Sequence, residues 1–425
     1  MASRRRLNTS SDGYPVSPTL EKDISANFRL LSLLDAVPDE ESLMQEAHGL
    51  HSNELDLHRM LSLRSQISTT SSDAQRHATA QDQNENYFRK IGAGACGAVF
   101  GQDGKSVVSK LAKTDDEQSL WNDYSMHSWI AHQFKKWDFS QVRVPECLYF
   151  VPKDDPHYFN NCPDLVEAAQ EICHMPTSVL VTERILPLPK SVRTLLIEKY
   201  CSPRVKQAAL DDIANKDCLV RVYLGSMQGK TGGLFFSLRN FKMHLNQMLE
   251  LQLDIKEMAG RMAIAMAIMH WAAKTDARDV EFVLGSSSKK TFVQLNGPEV
   301  QNLPRPMYTG PISHVHEDFF IRTTDLWLLD FNQVRRISLD EAGVAQAIEA
   351  ATINDPYIPK PLQASRVERL VWNEFVQQYL LASDTILAQE DGHNLLALPR
   401  MFIRGLISFQ RERQQRQQYF TTDTQ

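Results

Sequence analysis

Cysteine is scarce in this sequence, and its few occurrences form no recognisable framework. The chain has 425 residues and only six cysteines: Cys96, Cys147, Cys162, Cys173, Cys201 and Cys218. None of them belongs to a Cys-x-x-Cys pair, whereas structural zinc sites use closely spaced Cys and His pairs. The spacing therefore predicts free thiols in a reducing compartment. We expect an intracellular protein, cytoplasmic or nuclear.

Long apolar runs are also missing. The longest, MAIAMAIM from Met262 to Met269, is much shorter than the roughly 20 residues that a membrane-spanning helix needs. The opening MASRRRLNTSSDG has basic residues with no apolar segment behind them, which is not the pattern of a secretory signal. The sequence therefore predicts no membrane association.

An excess of positive charge is absent as well. Lysine and arginine total 46 against 52 acidic residues, which gives a formal net charge of −6. No overall positive field would attract nucleic acid or anionic lipid, so nucleic-acid binding is not expected and any affinity for phosphate must be local. The chain is 42% hydrophobic and 23% charged, which suits a globular body with one large domain or two lobes.

The composition divides the chain into three parts. Residues 1–85 are rich in Ser, Thr, Gln and Asn, which predicts a low-complexity, disordered tail with short helical segments that could dock on a partner or on the body. Residues 86–184 alternate apolar and polar positions and predict a small β-rich lobe. Residues 185–420 predict a larger helical lobe, with a Gly-, Pro- and Ser-rich insertion at 286–324. Together these patterns indicate an α+β fold with two lobes.

A glycine-rich stretch opens the predicted β-rich lobe. IGAGACGAVF places Gly92, Gly94 and Gly97 in a G-x-G-x-x-G pattern, which is a weak signal alone. A phosphate-binding loop of this kind needs a lysine on the next strand, and Lys110 in VVSK is suitably placed. That lysine needs a carboxylate from the following helix, and Asp123 lies on its apolar face. The alternative is that Asp123 is an ordinary surface acid.

Acidic residues flank two strand-like segments further along the chain. HWAAKTDARDVEFVLG supplies Asp276, Asp279 and Glu281, and the apolar run LWLLDFNQ contains Asp330 at its end. An acid that ends a buried run is costly unless it is paired or bound to a metal. Metal-dependent phosphoryl transfer requires carboxylates on Mg²⁺ and another near the attacking hydroxyl. Asp330 is therefore the best single candidate for a metal ligand.

These segments resemble the protein-kinase-like superfamily. The stretch from Gly92 to Val99 is similar to the family's glycine loop, and VVSK is similar to its lysine-bearing strand. VLVTERI, which includes Glu183, looks like the strand that leads into the hinge between the lobes. Asp276-x4-Glu281 has the spacing of the family's catalytic Asp-x4-Asn, and Asp330 begins the segment Asp-Phe-Asn where the family has Asp-Phe-Gly.

The resemblance implies a two-lobed kinase-like fold with ATP and Mg²⁺ as cofactors. It implies that the nucleotide is bound by Gly92, Gly94, Gly97, Val99, Lys110, Asp123 and Glu183. By the same resemblance, Glu281 and Asp330 would hold the metal, and Asp276 would be the catalytic base. Asp279 lies close by in the sequence and could take that catalytic role instead.

Departures from the kinase pattern leave the activity open. Lys274-Thr275 precedes Asp276 where the family has His-Arg, Glu281 replaces the Asn, Asn332 replaces the final Gly, and no Ala-Pro-Glu follows. The chain could be a phosphotransferase that acts on an unknown small-molecule or protein hydroxyl. It could instead be a catalytically inactive, pseudokinase-type module that senses nucleotide or binds a protein.

A narrower resemblance covers about Tyr87 to Leu387. The boxes FSLRNF, HWAAKTDARDVEFVLG, LWLLDFNQ and NDPYIPKP are similar to those of a fungal family of uncharacterised function that is often labelled "zinc finger protein". That label makes a zinc-binding regulatory protein a further alternative. The irregular CPDLVEAAQEICH does not match the ligand spacing of known zinc sites.

Overall fold

Two sheets and a set of helices make up the described part of the protein. The computed structural model describes residues 33–35, 51–68, 72–83, 87–94, 96–113, 117–233, 235–293, 314–354, 356–390 and 395–422. Each sheet has five strands, and the mixed α+β class expected from the sequence is confirmed. Among the helices of this described part, none is long and apolar enough to cross a membrane.

The elements are numbered in chain order. The strands are β1 (Gln66–Ser68), β2 (Phe88–Ala93), β3 (Gly97–Gln102), β4 (Val107–Ala112), β5 (Cys147–Val151), β6 (Val179–Glu183), β7 (Val220–Tyr223), β8 (Phe241–His244), β9 (Glu281–Val293) and β10 (His314–Leu329). The first helices are α1 (Ser52–Leu61), α2 (Ser72–Gln83), α3 (Glu117–Lys136), α4 (Pro156–Asn161), α5 (Pro163–Ala169) and α6 (Lys190–Tyr200). The remaining helices are α7 (Lys206–Asp211), α8 (Leu245–Glu250), α9 (Ile255–Ala267), α10 (Glu341–Ile353), α11 (Arg366–Leu387) and α12 (Ala397–Thr422).

The first sheet is antiparallel throughout, in the order β2-β3-β4-β6-β5. The tight turn between β3 and β4 includes Gly104, whose φ of 76° lies in the left-handed region that favours glycine. The sheet buries Phe100 and Leu111, which are both 0% exposed. Burial does not alternate strictly along β3 and β4, where pairs of neighbouring residues are buried together.

The second sheet has the order β1-β10-β9-β7-β8 and is built around a long β9–β10 hairpin. The insertion expected at 286–324 is wrong for its two ends, because residues 286–293 and 314–324 continue the two strands of this hairpin. Residues 294–313 lie outside the described part. Ser286 is fully buried despite its polarity. Its backbone N–H and C=O both pair with Leu186, at 2.7 and 3.1 Å, which satisfies the buried backbone. Its buried Oγ has no hydrogen-bond partner among the described residues.

The helical core surrounds α9. The helix is followed by a π-helical turn, Ile268–Ala272, and both pack against α11. The largest fully buried side chains of this core include Trp271, Trp372, Tyr379 and Phe402. The apolar run that the sequence showed at residues 262–269 is therefore the centre of the helical part.

Part of the expected N-terminal tail belongs to the core. Leu57 and Leu61 of α1 are both 0% exposed, β1 pairs with β10, and the His77 Nδ1 of α2 accepts a hydrogen bond from Gly104 N at 2.9 Å. The boundary at residue 85 is therefore wrong for residues 51–68 and 72–83. The short helical segments expected within the tail include this helix, whose leucines, four residues apart, share one face. Its docking on the body is one of the two alternatives that the sequence left open.

Residues 33–35 also contact the helical core. The backbone N–H of Asp35 donates to Asn373 Oδ1 at 2.7 Å, and the Asn373 side chain donates back to the Asp35 carbonyl at 2.7 Å. Leu33 beside it is buried. The remainder of the FRLLSLL segment, for which the sequence predicted helical spacing, lies outside the described residues.

Candidate functional site

A cavity of about 230 Å³ lies between the two sheets. The first sheet contributes the glycine loop and Lys110, and the second contributes the ends of β9 and β10. The lining includes all of the expected nucleotide- and metal-binding residues: Gly92, Gly94, Gly97, Val99, Lys110, Asp123, Glu183, Glu281 and Asp330. Its volume is slightly below the roughly 300–1,000 Å³ typical of ligand pockets, so part of a nucleotide would extend beyond the enclosed space.

Lys110 of β4 joins the two sheets through two carboxylates. Its Nζ donates to Asp123 Oδ2 at 2.6 Å and to Asp330 Oδ1 at 3.0 Å. Burial alone would lower the pKa of Lys110, but the charges of Asp123 and Asp330 outweigh it and raise that pKa. The amine therefore stays protonated, and Asp123, which is 3% exposed, is a buried partner rather than a surface acid.

Gly97 is the glycine of the loop that the packing requires. A Cβ at this position would lie 3.0 Å from the Leu111 carbonyl oxygen and 3.2 Å from Lys110 Cγ. At Gly92 a Cβ would make ordinary contacts, and at Gly94 it would meet no atom of the described residues within 4 Å. The loop is closed by a hydrogen bond of 2.9 Å from Gly94 N to Gly97 O. In this conformation only Gly97 is needed to let the loop strand approach the lysine.

Helix α3 holds the segment that follows β10. The backbone N–H of Phe331 donates to Asp123 Oδ1 at 3.2 Å, and Asn122 Nδ2 donates to the Asn332 carbonyl at 2.9 Å. The Phe331 ring is fully buried and lies 4.9 Å from the ring of His127. Asp123 thus uses one carboxylate oxygen for Lys110 and the other for this backbone.

Asp330 has an unusual backbone conformation. Its φ of 67° lies in the left-handed region, which Asp adopts more readily than most other residues. Two residues later, Asn332 Nδ2 donates to the Cys96 thiol of the glycine loop at 3.0 Å. This conformation turns the end of β10 toward both the lysine and the loop.

Glu281 is paired with an arginine that the sequence did not predict. Its Oε1 lies 2.5 Å from Arg221 Nη2 of β7. Burial raises the pKa of Glu281 to about 7, because desolvation together with the charges of Asp330 and Asp279 outweighs the opposing effect of Arg221. Burial and Asp330 also raise the pKa of Asp279. The three acids therefore form a cluster with surplus negative charge.

Asp276 and Asp279 lie in different surroundings. Asp276 is 0% exposed and accepts hydrogen bonds from Arg335 Nε at 2.6 Å, from Arg335 N at 2.9 Å and from Gln346 Nε2 at 3.1 Å. Asp279 is partly exposed and accepts a hydrogen bond from Gln333 Nε2. The structure thus brings Asp279 close to Glu281 and Asp330, and it places Asp276 in a sealed network.

The loop around these acids is conformationally strained. Lys274, Ala277 and Asp279 have φ values of 55°, 52° and 60°, in a region that costs energy for residues other than glycine. Ala277 is fully buried, and its carbonyl accepts a hydrogen bond from Asn354 Nδ2 at 2.7 Å. Such strain persists only where the surroundings hold it. Here it turns the two acids toward different partners, Asp276 toward Arg335 and Asp279 toward Gln333.

Glu183 lies at the margin of the cavity. Its Oε2 accepts a hydrogen bond from Glu146 N at 3.1 Å, and its Oε1 lies 3.7 Å from Arg143 Nη2. The side chain is thus engaged by the protein beside the segment that leads from β6 to Leu186. Its carboxylate has these existing partners, so any contact to a ligand would come in addition to them.

Several cations of the cavity wall were missed by sequence reasoning. Arg184, Arg221 and Arg239 line the cavity, and burial, reinforced by the neighbouring charge of Arg89, lowers the pKa of Arg184 to about 10. Arg221 comes from β7, and Arg239 lies in the box FSLRNF, to which the resemblance assigned no role. A basic residue in a strand or turn carries no local signal of what it will face, so the sequence did not show that these arginines line a cavity.

Asp330 and Glu281 are the acids of the cavity that could hold a metal ion. In the described part of the chain, no group of three or more His, Cys, Asp or Glu side chains forms a ready metal site. Two of the clustered acids are instead offset by Lys110 and Arg221. Magnesium in phosphoryl-transfer proteins is commonly held by one or two carboxylates together with substrate phosphates, and Asp330 with Glu281 would suit that arrangement.

Comparison with known proteins gave one partial similarity. Residues 326–391, from the end of β10 through α11, match the model of a family described as "zinc finger protein". That stretch contains neither Cys nor His, so it holds none of the usual zinc-finger ligands. No curated protein and no solved structure matched the chain.

Proposed function

We propose that this chain is a kinase-like protein that binds ATP and Mg²⁺ in the cleft between its two sheets. The observation that carries the proposal is the position of Lys110, whose Nζ contacts Asp123 of α3 and Asp330 after β10. A lysine fixed by a helix carboxylate beside a metal-binding aspartate is the arrangement that kinases use to hold nucleotide phosphates.

The arrangement of strands and helices around Lys110 supports the proposal of a two-lobed, kinase-like fold. A five-stranded antiparallel sheet carries a hairpin glycine loop and the lysine on successive strands, and α3 follows directly. The chain then crosses at Leu186, which pairs with Ser286 of the second sheet. A cleft at such a junction is where ligand sites are most often found.

Each acid has a role in this proposal. When bound, magnesium would neutralise charge on the transferring phosphate. Asp330 and Glu281 would hold it, and Lys110 would hold phosphate oxygens beneath the loop that contains Gly97. Asp279 is the better candidate for the base at the acceptor hydroxyl, because it is partly exposed beside the other two acids, whereas Asp276 is enclosed. Asp276 would act through Arg335, as a positioning residue.

A nucleotide-sensing module without turnover is the second candidate. The contact between Glu281 and Arg221 favours it, because this arginine already offsets the charge of Glu281 that magnesium would otherwise neutralise. A zinc-binding regulator is the third candidate. It has the least support, because the stretch similar to the "zinc finger protein" family lacks Cys and His.

Nucleotide-dependent thermal stabilisation tests the proposal. ATP at about 100 times its Kd should stabilise the wild type by about 2.7 kcal/mol in the presence of Mg²⁺. Lys110→Ala and Asp330→Asn should remove this effect, whereas Glu281→Asn, which introduces the usual kinase residue, should preserve it. Lys136→Ala is the matched control, because this exposed lysine of α3 does not line the cavity.

The same preparations separate the candidates. If the wild type releases or transfers phosphate, and Asp279→Asn loses this activity but retains its ATP affinity, the result supports a phosphotransferase. ATP binding with no turnover on water or hydroxyl acceptors would support the sensing module. If the folded wild type is not stabilised by ATP, with or without Mg²⁺, both the phosphotransferase and the sensing module are ruled out. If zinc chelators lower its melting temperature, the result supports the zinc-binding regulator.

A further inference from the structure

A turn at residues 237–240 places the cation Arg239 in the cleft. None of the roles proposed above for the cleft residues uses this arginine. Arg239 and Asn240 line the same cavity as Lys110 and Asp330. Arg239 is half-buried, and its buried Nε has no hydrogen-bond partner among the residues that the structure describes. Across the described ranges, no carboxylate lies within ion-pair distance of its guanidinium. The other cations differ: Lys110 and Arg221 each contact acids.

The turn that carries Arg239 is fixed from both sides. The buried Asn215 accepts hydrogen bonds at its Oδ1 from Leu238 N at 2.7 Å and from Ser237 Oγ at 3.3 Å, and its Nδ2 donates to Ala209 O at 2.8 Å. Ser237 Oγ in turn accepts from Arg239 N at 3.1 Å. Leu238 is fully buried. The backbone that presents the arginine is therefore held in place before any ligand arrives.

The neighbouring residue shapes the same turn. Asn240 has a φ of 57° and is exposed at the cavity wall. Asn adopts this left-handed region more readily than most residues other than glycine. The conformation reverses the chain between the buried Leu238 and the start of β8, so that Arg239 remains on the cavity side.

The chemistry of a guanidinium defines what this position would bind. It is always protonated and presents its donors in a planar fork that matches phosphate or carboxylate oxygens. A partly buried charge without a counter-charge is costly, and a ligand anion would remove that cost. A hydrogen bond to a charged group contributes about 1.5–3 kcal/mol.

We propose that Arg239 is an anion-binding residue of the cleft and that it takes a phosphate or carboxylate of the bound ligand. The inference deepens the proposed nucleotide site and rests on it for the identity of the ligand. The anion belongs either to the nucleotide itself or to the acceptor bound beside it. Both sources present the same chemistry to Arg239.

Titration with inorganic phosphate, followed by thermal shift, tests this assignment. Wild-type protein should be stabilised by phosphate, and Arg239→Gln should raise the apparent Kd at least about tenfold. Lys242→Gln is the matched control, since it removes an exposed cation three residues away that does not line the cavity. It should change the Kd less than about twofold, because an exposed charge acts only through a screened field.

Repeating the titration with saturating Mg²⁺-ATP identifies the source of the anion. Phosphate stabilisation that persists assigns Arg239 to the acceptor, and stabilisation that disappears assigns it to the nucleotide. Phosphate binding without any ATP binding would refute the proposed function while the anion site stands. Equal phosphate affinity in wild type and Arg239→Gln, or no phosphate binding by the folded wild type, would overturn the inference.

Discussion

Asp276 and Asp279 show how strongly surroundings decide the role of an acid. They are three residues apart, yet Asp276 is completely enclosed and Asp279 is partly exposed. The network around Asp276 includes the Arg335 side chain and the backbone N–H of Arg278, which donates to it at 3.1 Å. Every donor in this network would lose a charged acceptor if the carboxylate were neutralised.

We therefore expect Asp276→Asn to destabilise the fold and Asp279→Asn to leave stability nearly unchanged. Asp276→Asn should lower the free energy of unfolding by about 1.5–3 kcal/mol, because it weakens several charge-assisted hydrogen bonds. Asp279→Asn should stay within roughly 0.5 kcal/mol of wild type, as surface substitutions usually do. Urea denaturation of both variants measures this difference. Equal stabilities would show that the enclosed network contributes nothing.

Glu281 should make stability depend on pH. Its pKa is about 7 in the folded protein because of burial, against about 4.3 in an unfolded chain. Between these values the folded state holds a proton that the unfolded state has released. Stability is therefore highest below the unfolded pKa and falls as the pH rises through the folded pKa. The full change is on the order of 4 kcal/mol.

Replacing Glu281 with Gln should remove most of this dependence. The free energy of unfolding at pH 5 minus that at pH 8 should become smaller by roughly 2–3 kcal/mol than in wild type. Chemical denaturation at the two pH values gives the quantity directly. Glu412→Gln on α12, where the carboxylate is well exposed, should leave the difference unaltered. If both variants behave like wild type, the pKa of Glu281 is not raised.

Helix α1 is held by buried leucines and by a lysine of α6. Leu57 and Leu61 are 0% exposed, while Leu55 of the same helix is 49% exposed. The Lys199 Nζ of α6 donates to Glu54 Oε1 at 2.6 Å and to Glu250 Oε1 at 2.7 Å. The apolar contacts should dominate, because ion pairs with an exposed member are worth little.

Leucine-to-alanine variants of α1 measure that contribution. Leu57→Ala should lower the free energy of unfolding by about 2–5 kcal/mol, because it leaves a cavity in the core. Leu55→Ala in the same helix should change it by no more than about 0.5 kcal/mol. Thermal or urea unfolding of the pair tests the docking. If Leu57→Ala proves as stable as Leu55→Ala, α1 does not pack against the core in solution.

At the scale of the whole molecule, residues 51–68 and 72–83 connect the two sheets. β1 adds a strand to the second sheet, while α2 reaches the first sheet, where Arg76 Nε lies 2.6 Å from Asp103 Oδ2. Lys110 makes a further link to Asp330 across the cleft. The relative position of the sheets, and with it the shape of the cavity, depends on these contacts between distant parts of the chain.

A chain that begins at residue 87 should therefore unfold at a lower temperature and in two calorimetric transitions instead of one. The deletion removes the buried leucines of α1 and the strand β1, which join the two sheets. Each sheet with its helices would then unfold in a transition of its own. Differential scanning calorimetry measures this, and circular dichroism at low temperature verifies that the shortened chain is folded. A single transition at the wild-type temperature would contradict the prediction.

Local patterns in the sequence determined the elements that carry the candidate site. Alternating residues predicted the strands of the first sheet, and helical periodicity placed Asp123 on α3, where it meets Lys110. The glycine loop and the acids that border β9 and β10 were visible as short motifs. These features depend on residues close together in the chain, and strand and helix periodicity reports on such neighbours.

Only the tertiary structure decided which of these residues meet and what surrounds them. Arg221 reaches Glu281 across 60 positions of the chain, and Arg335 reaches Asp276 across 59. The docking of α1 and the burial of Ser286 likewise depend on distant partners. Periodicity says which face of an element is apolar, but not which charge lies opposite, because that follows from how the elements pack. The enclosure of Asp276 and the presence of Arg239 at the cleft are consequences of that packing.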